Sequence, residues 1–304
     1  MNPNFIFIGG IPRSGTSLIQ KIVGLNEDVY AGPEFDHLPS IVKLYFQMLG
    51  NERQAEFYTD NGLTNSFRKF IESVLAEKLF EKQIKVKYIS EKTPENILAF
   101  KGLEKIFPNA KFLIIIRDPR AVINSFQNVS LRAKRSGTSV KFGKNIIKDL
   151  SFMRYRIDLA EQISNENPDK CFILHYEDLL KDPESVISSI CTFLDLKYTK
   201  NMLKTETKTN ISNLMERFQG KDPWYNNEIY DRHIDLRSLN SWTNQLDWKT
   251  KKLTAWFFLK FKNRLLVQYD FNLSTMDKVR LLPAICLEVI KNPRYLKKII
   301  AHVT

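Results

Sequence analysis

Cysteine and histidine are scarce in this chain and acidic residues are outnumbered, and each shortage removes a class of function. The three cysteines, Cys171, Cys191 and Cys286, are odd in number and far apart. That suits neither a disulfide framework nor a metal cluster, so they read as reduced thiols. The four histidines bring no zinc-ligand spacing, and no metal is expected. No apolar run reaches the length of a bilayer span. The first strand pattern starts at Phe5 with no leader-like segment before it, which gives a cytoplasmic expectation. Lys and Arg number 46 against 34 Asp and Glu, a net charge of +12, so an anionic partner is expected. No nucleic-acid-binding module accompanies the charge, and no specific nucleic acid is expected.

What is present begins with a loop. Phe5-Ile6-Phe7-Ile8 reads as a buried strand entering a turn of Gly9, Gly10 and Pro12, followed by Arg13-Ser14-Gly15-Thr16-Ser17 and a helical pattern from Leu18. A strand, a glycine-containing loop and a helix N-terminus converge backbone N–H groups and the helix dipole on one point, a ready cradle for an anion. The spacing Gly10, four residues, Gly15 nearly matches a nucleotide triphosphatase loop, but Thr16 stands where that loop has lysine. That lysine bridges the β- and γ-phosphates, so a phosphate site without the triphosphatase apparatus is expected. A small-metabolite kinase and a non-catalytic nucleotide-binding protein are the alternative readings.

A second loop of the same type follows about a hundred residues later. Lys111 to Ser125 reads KFLIIIRDPRAVINS, a buried-type strand, an Arg-Asp-Pro-Arg turn and a helix start. Together the two loops resemble the family of sulfotransferases that use PAPS (3′-phosphoadenosine 5′-phosphosulfate), and within it the tyrosylprotein and bacterial group. The resemblance implies that Arg13, Ser14, Gly15, Thr16 and Ser17 bind the 5′-phosphosulfate and that Arg117 and Ser125 bind the 3′-phosphate. A guanidinium fork and a hydroxyl near a helix start suit a phosphomonoester. Arg120 and Arg132 are read as spare cations. Where tyrosylprotein sulfotransferases have a further arginine, this chain has Val129.

Alternating patterns give strands at Phe5–Ile8, Val29–Ala31, Val86–Ser90, Phe112–Ile116 and Cys171–His175, separated by helices. That order predicts an α/β fold, a P-loop-like three-layer sandwich with a central parallel sheet flanked by helices. All strand C-terminal ends, with the motifs, then fall on one edge. One domain over 1–304 is expected. It carries helical insertions near 37–83 and 134–166, a lid-like loop at 210–242 and a basic C-terminal helical segment at 276–304.

Four further segments extend the resemblance from Phe5 to about Trp242. Glu34, in Ala31-Gly32-Pro33-Glu34, matches the acid that serves as catalytic base, with His37 as the rival base three residues on. Lys92, in Ser90-Glu91-Lys92-Thr93-Pro94, matches the lysine that stabilises the leaving phosphate and the moving sulfuryl group. Thr93-Pro94 also reads as the start of a helical turn. Tyr176, in His175-Tyr176-Glu177-Asp178-Leu179, matches an adenine-contacting tyrosine. Ser241, in Leu239-Asn240-Ser241-Trp242, stands where the family has a lysine that closes over the nucleotide. The implied reaction moves the sulfuryl group of PAPS in line to an acceptor hydroxyl (phenol, sterol or other lipid alcohol, glycan or tyrosine) and releases PAP (the desulfated product). The basic, amphipathic C-terminal segment fits either an anionic membrane surface or packing on its own domain, and a homodimer is left open.

Overall fold

The computed structural model describes residues 3–205, 223–224, 234, 236, 239–259 and 264–291. Most of the expected lid at 210–242, and the end of the basic segment beyond 291, lie outside the described residues. By internal contacts the chain divides into two compact units, Met1–Ile116 with Gln162–Asp235 and Arg117–Glu161 with Leu236–Thr304.

The first unit is built on a five-stranded sheet: β1 (Asn4–Gly10), β2 (Val29–Ala31), β3 (Tyr88–Lys92), β4 (Lys111–Ile116) and β5 (Cys171–His175). Its strand order is β2-β3-β1-β4-β5, and every pairing is parallel. Side chains alternate across it. Ile6, Ile8, Leu113 and Ile115 share one core with Ile19 and Ile22 of α1 (Thr16–Val23) and with Ile187 and Ile190 of a later helix, Pro183–Leu194. On the other face Phe5 meets Phe107 at 4.8 Å between ring centroids, and Phe112 meets Phe100 at 4.6 Å. Each fully buried Ile or Phe contributes about 1.5–3 kcal/mol. Helices cover both faces, so the expected three-layer architecture is the observed one. Chain order leaves β1 for β2 on one side and places β4 on the other, which puts the loop after β1 at the topological switch point.

Three helices follow: α2 (Leu38–Met48), α3 (Asp60–Glu81) and α4 (Phe100–Ile106). α2 and α4 pack so closely that a Cβ on Gly102 would lie 2.3 Å from Val42. α3 starts at Asp60 because the Thr59 hydroxyl caps it by accepting from the Gly62 N–H at 3.1 Å. Further along, α7 (Tyr176–Lys181) and α8 (Pro183–Leu194) follow β5.

The second unit contains α5 (Pro119–Arg135), most of α6 (Ile146–Glu166), and, later in the chain, α9 (Ser241–Gln245), α10 (Trp248–Leu259) and α11 (Thr275–Lys291). α5 runs on to Arg135, and its last turn carries Arg132, Lys134 and Arg135, which suit the negative end of the helix dipole. Ile147, Leu253 and Leu281 form the core joining α6, α10 and α11. Along α11, Met276, Val279, Leu282 and Leu287 are exposed.

β3 departs most instructively from expectation. It runs two residues past Ser90, pairing Phe7 with Glu91 and Ile8 with Lys92, so two charged side chains end an interior strand. Glu91 is 1% exposed and Lys92 2%. Burial pushes the Glu91 carboxyl up to about 7, against the lowering effect of hydrogen bonds from the Phe35 N–H, Asn96 and Thr93 and of the Lys92 charge. Between the ordinary value of 4.5 and about 7, the folded chain keeps a proton that the unfolded chain has released. The stability from this group is therefore full below pH 4.5 and falls as pH rises to about 7. Glu91→Gln should abolish that slope. Urea unfolding at pH 5 and pH 8 should show the wild type losing about 3 kcal/mol more than the variant.

Candidate active site

The loop after β1 is shaped by three residues with positive φ: Gly10 (152°), Arg13 (73°) and Gly15 (109°). Arg13 bears a side chain in a region that disfavours one, and its Nη1 donates to the Trp224 carbonyl at 3.1 Å. Gly15 is the N-cap of α1 and offers no side chain to it, and the first turn holds no acid. The leading N–H groups of a helix have no intrahelical acceptor, so here they face the loop's concave side without a competing anion. Ser14 is wholly buried, and its hydroxyl has no hydrogen-bond partner among the described residues. This donor set fits the terminal phosphosulfate of PAPS.

Tyr176, the first residue of α7, packs on the same loop. A Cβ on Gly15 would fall 2.5 Å from Tyr176 Cδ2. Position 15 therefore excludes a side chain twice, by conformation and by contact. The tyrosine expected near adenine lies against the phosphosulfate loop.

Lys92 ends β3 beside the helix start. Its Nζ donates to Ser17 Oγ at 3.0 Å and forms an ion pair with Glu34 Oε1. Glu34, partly buried, belongs to the segment that leaves β2, and that segment is fastened from several sides. The Gly32 N–H donates to the Ser90 carbonyl at 2.9 Å, and Gln20 of α1 donates to the Gly32 carbonyl at 2.8 Å. The Phe35 N–H donates to Glu91 Oε1 at 2.8 Å. Sequence reasoning passed over Gln20 and Glu91. Gln20 falls on the buried side of an amphipathic helix, and Glu91 sits beside the lysine that drew attention. The Asp36 carboxyl is raised by burial first and by the Glu34 charge second.

His37 does not share a helical face with Glu34, because residues 32–35 form no regular element and α2 begins at Leu38. It is exposed, with its ring edge-on to Phe35 at 5.3 Å.

In the second unit, Arg117 directly follows β4 in the chain and Ser125 lies two turns into α5; both are half-buried. Arg120 is not a spare cation. It pairs with Asp118 at 2.7 Å, donates to the Asp270 carbonyl at 2.7 Å, and its guanidinium carbon lies 4.2 Å from the Trp242 ring centroid. Val129 is fully buried in the core, so an arginine could not occupy that position without leaving it. Ser241 opens α9, which Gln245 ties to α5 by accepting from Asn124 at 2.8 Å. Among the described residues no group of three or more His, Cys, Asp or Glu is placed to hold a metal.

The chain is 29% identical over 204 residues to protein-tyrosine sulfotransferase A of Caenorhabditis elegans, covering 66% of this chain and 52% of that protein. It is 26% identical over 248 residues to the protein-tyrosine sulfotransferase of Drosophila melanogaster, covering 79% and 47%. The chain thus spans about half the length of these relatives. In fold it is similar to the sulfotransferase domain of the Synechococcus PCC 7002 olefin synthase, with a TM-score of 0.55, 17% identity and coverage of 94% and 95%. It is also similar to the mouse sulfotransferase SULT7A1 in complex with PAP, with a TM-score of 0.50, 14% identity and coverage of 88% and 86%. The model of the sulfotransferase family matches residues 3–200, and the chain belongs to that family.

Proposed function

We propose that this sulfotransferase moves the sulfuryl group of PAPS to a phenolic hydroxyl, with the tyrosine side chain as its natural acceptor. The observation that carries the transfer chemistry is Lys92, whose ammonium group joins Ser17 at the α1 N-terminus to the Glu34 carboxylate. A cation, a helix N-terminus and a base stand at one point. The tyrosine acceptor is supported by the names of the relatives.

In this reading Glu34 takes the proton of the acceptor hydroxyl as its oxygen attacks sulfur. The S–O bond to the 5′-phosphate breaks in line and PAP leaves. Sulfuryl transfer has, like phosphoryl transfer, a loose transition state with spread charge, stabilised chiefly by positioned donors. Lys92, Arg13 and the N–H groups of Gly15, Thr16 and Ser17 meet the charge that grows on the bridging oxygen. His37 is the alternative base, exposed and three residues on in the chain. On their motif alone, Arg117 and Ser125 are assigned the 3′-phosphate. The enzyme is read as cytoplasmic, with the exposed apolar residues of α11 beside Lys278 and Arg280 as its contact with an anionic membrane.

Incubation with labelled PAPS and a panel of tyrosine peptides, phenols, sterols and glycans should release PAP, fastest with the peptides. Glu34→Gln should lower kcat by about 10²–10⁴-fold and Lys92→Ala by about 10²–10³-fold. If no acceptor releases PAP while ATP is hydrolysed or transferred, the kinase reading replaces this one. In calorimetry the chain should prefer PAP over AMP, and Arg117→Ala should erase the preference at a cost of about 1.5–3 kcal/mol. Sedimentation with anionic vesicles, but not with neutral ones, should carry the protein down, less so for a Met276→Ser, Val279→Ser variant.

A further inference from the structure

β3 reaches beyond its neighbour on one side. The last register pair of β2 and β3 is Ala31 with Ser90, so Glu91 and Lys92 extend past the end of β2 while still paired with β1. Successive residues of a strand point to opposite faces. The chain leaving β2 must therefore wrap the overhanging end of β3, and it touches both of these side chains with consecutive residues. Glu34 meets Lys92, and the Phe35 N–H meets Glu91.

The Glu91 carboxyl is fully engaged. Oε1 accepts from the Phe35 N–H at 2.8 Å and from the Thr93 hydroxyl at 2.8 Å, while Oε2 accepts from the Asn96 amide. Asn96 also donates to the Ile8 carbonyl of β1 at 3.3 Å, so the acid is fixed to the central strand. Two of its three bonds are side-chain anchors from the turn after β3, and the third reaches the loop that carries the candidate base. A buried carboxylate is costly unless its lone pairs are satisfied, and apolar packing would serve a core strand better.

We propose that Glu91 is a positioning residue of the transfer site, holding the Phe35 amide so that Glu34 stands in register with Lys92. The proposal rests on Glu34 being the base. Glu91 itself is walled off from solvent and touches no reacting atom. What it supplies is a fixed acceptor, not a charge, so an isosteric amide should serve nearly as well: its oxygen keeps the Phe35 and Thr93 donors that matter to Glu34, while Asn96 turns its own amide to accept from the new NH₂ and gives up its long bond to the Ile8 carbonyl.

The test compares Glu91→Gln, Glu91→Ala and Glu91→Asp with Glu34→Gln in PAP release, together with PAP binding by calorimetry and amide exchange of Phe35. Glu91→Ala and Glu91→Asp should lose about 10²-fold in kcat, the scale expected when a catalytic group is misplaced, with KM for PAPS and PAP affinity little changed. Glu91→Gln should recover most of the wild-type rate. The Phe35 amide of the wild type should exchange slowly even though it lies in a loop. The proposal is overturned by a Glu91→Ala or Glu91→Asp enzyme with wild-type kcat, by a folded, PAP-binding Glu91→Gln that is as inactive as Glu34→Gln, or by unprotected exchange at Phe35. The last two outcomes decide even where the smaller side chains fail to fold. If Glu34→Gln alone keeps full activity, it is the assignment of the base that falls, and a wild type without turnover would remove the transferase reading instead.

Discussion

The buried ammonium group of Lys92 ties together three stretches of chain that are remote in sequence: the start of α1 through Ser17, the segment after β2 through Glu34, and the end of β3 itself. An ion pair so deeply placed loses most of its hydration, and a well-packed apolar pair of similar volume is often as stable or more so. Stability alone does not account for it. What the arrangement gives is a cation and a carboxylate held at a helix N-terminus that has no acid of its own, and the rest of the site is organised around keeping them there. Gln20 clamps the carbonyl of Gly32 from α1, and the Ser90 carbonyl takes the Gly32 N–H. Glu91 holds the Phe35 N–H, three residues further along the same segment.

Sheet register is what makes this possible. Had β2 run as far as β3, residues 32 and 33 would pair with Glu91 and Lys92, and Glu34 would leave along the strand instead of turning back to Lys92. β2 stops at Ala31, opposite Ser90, and the following chain is free to turn around the end of β3. The short edge strand is thus part of the site's construction. The same holds for Gly15, whose positive φ and whose contact with Tyr176 allow the loop to close tightly under an aromatic lid.

Much of this was legible in the sequence. β2 and β5 have the bounds that alternation and apolar runs suggest, and the two phosphate-type loops follow β1 and β4 as expected. Arg13, Ser17, Glu34, Lys92 and Tyr176 were singled out from motifs, and the structure brings them to one end of one sheet. The misses have physical causes. β3 continues past Ser90, although two charged residues there look like a turn, because tertiary pairing with Phe7 and Ile8 makes them strand. Arg120 looked available because sequence does not show that Asp118, Asp270 and Trp242 all converge on it. Gln20 and Glu91 carried no motif, and their roles come entirely from backbone groups brought close by the fold.

The two buried charges of β3 divide their work by face. Lys92 points to the helix N-terminus and meets side chains, so its bonds can be exchanged when a substrate anion and an acceptor hydroxyl enter. Glu91 points the other way and meets a backbone N–H, a hydroxyl and an amide, each of which needs an acceptor and none of which needs a charge. Its raised titration follows from that: burial disfavours the carboxylate more than three hydrogen bonds and one neighbouring cation favour it. A site that must gather negative charge gains from this. A permanently ionised second carboxylate beside Lys92 would offset part of the lysine's field, whereas an acid whose burial favours its protonated form leaves more of that field to the sulfuryl group.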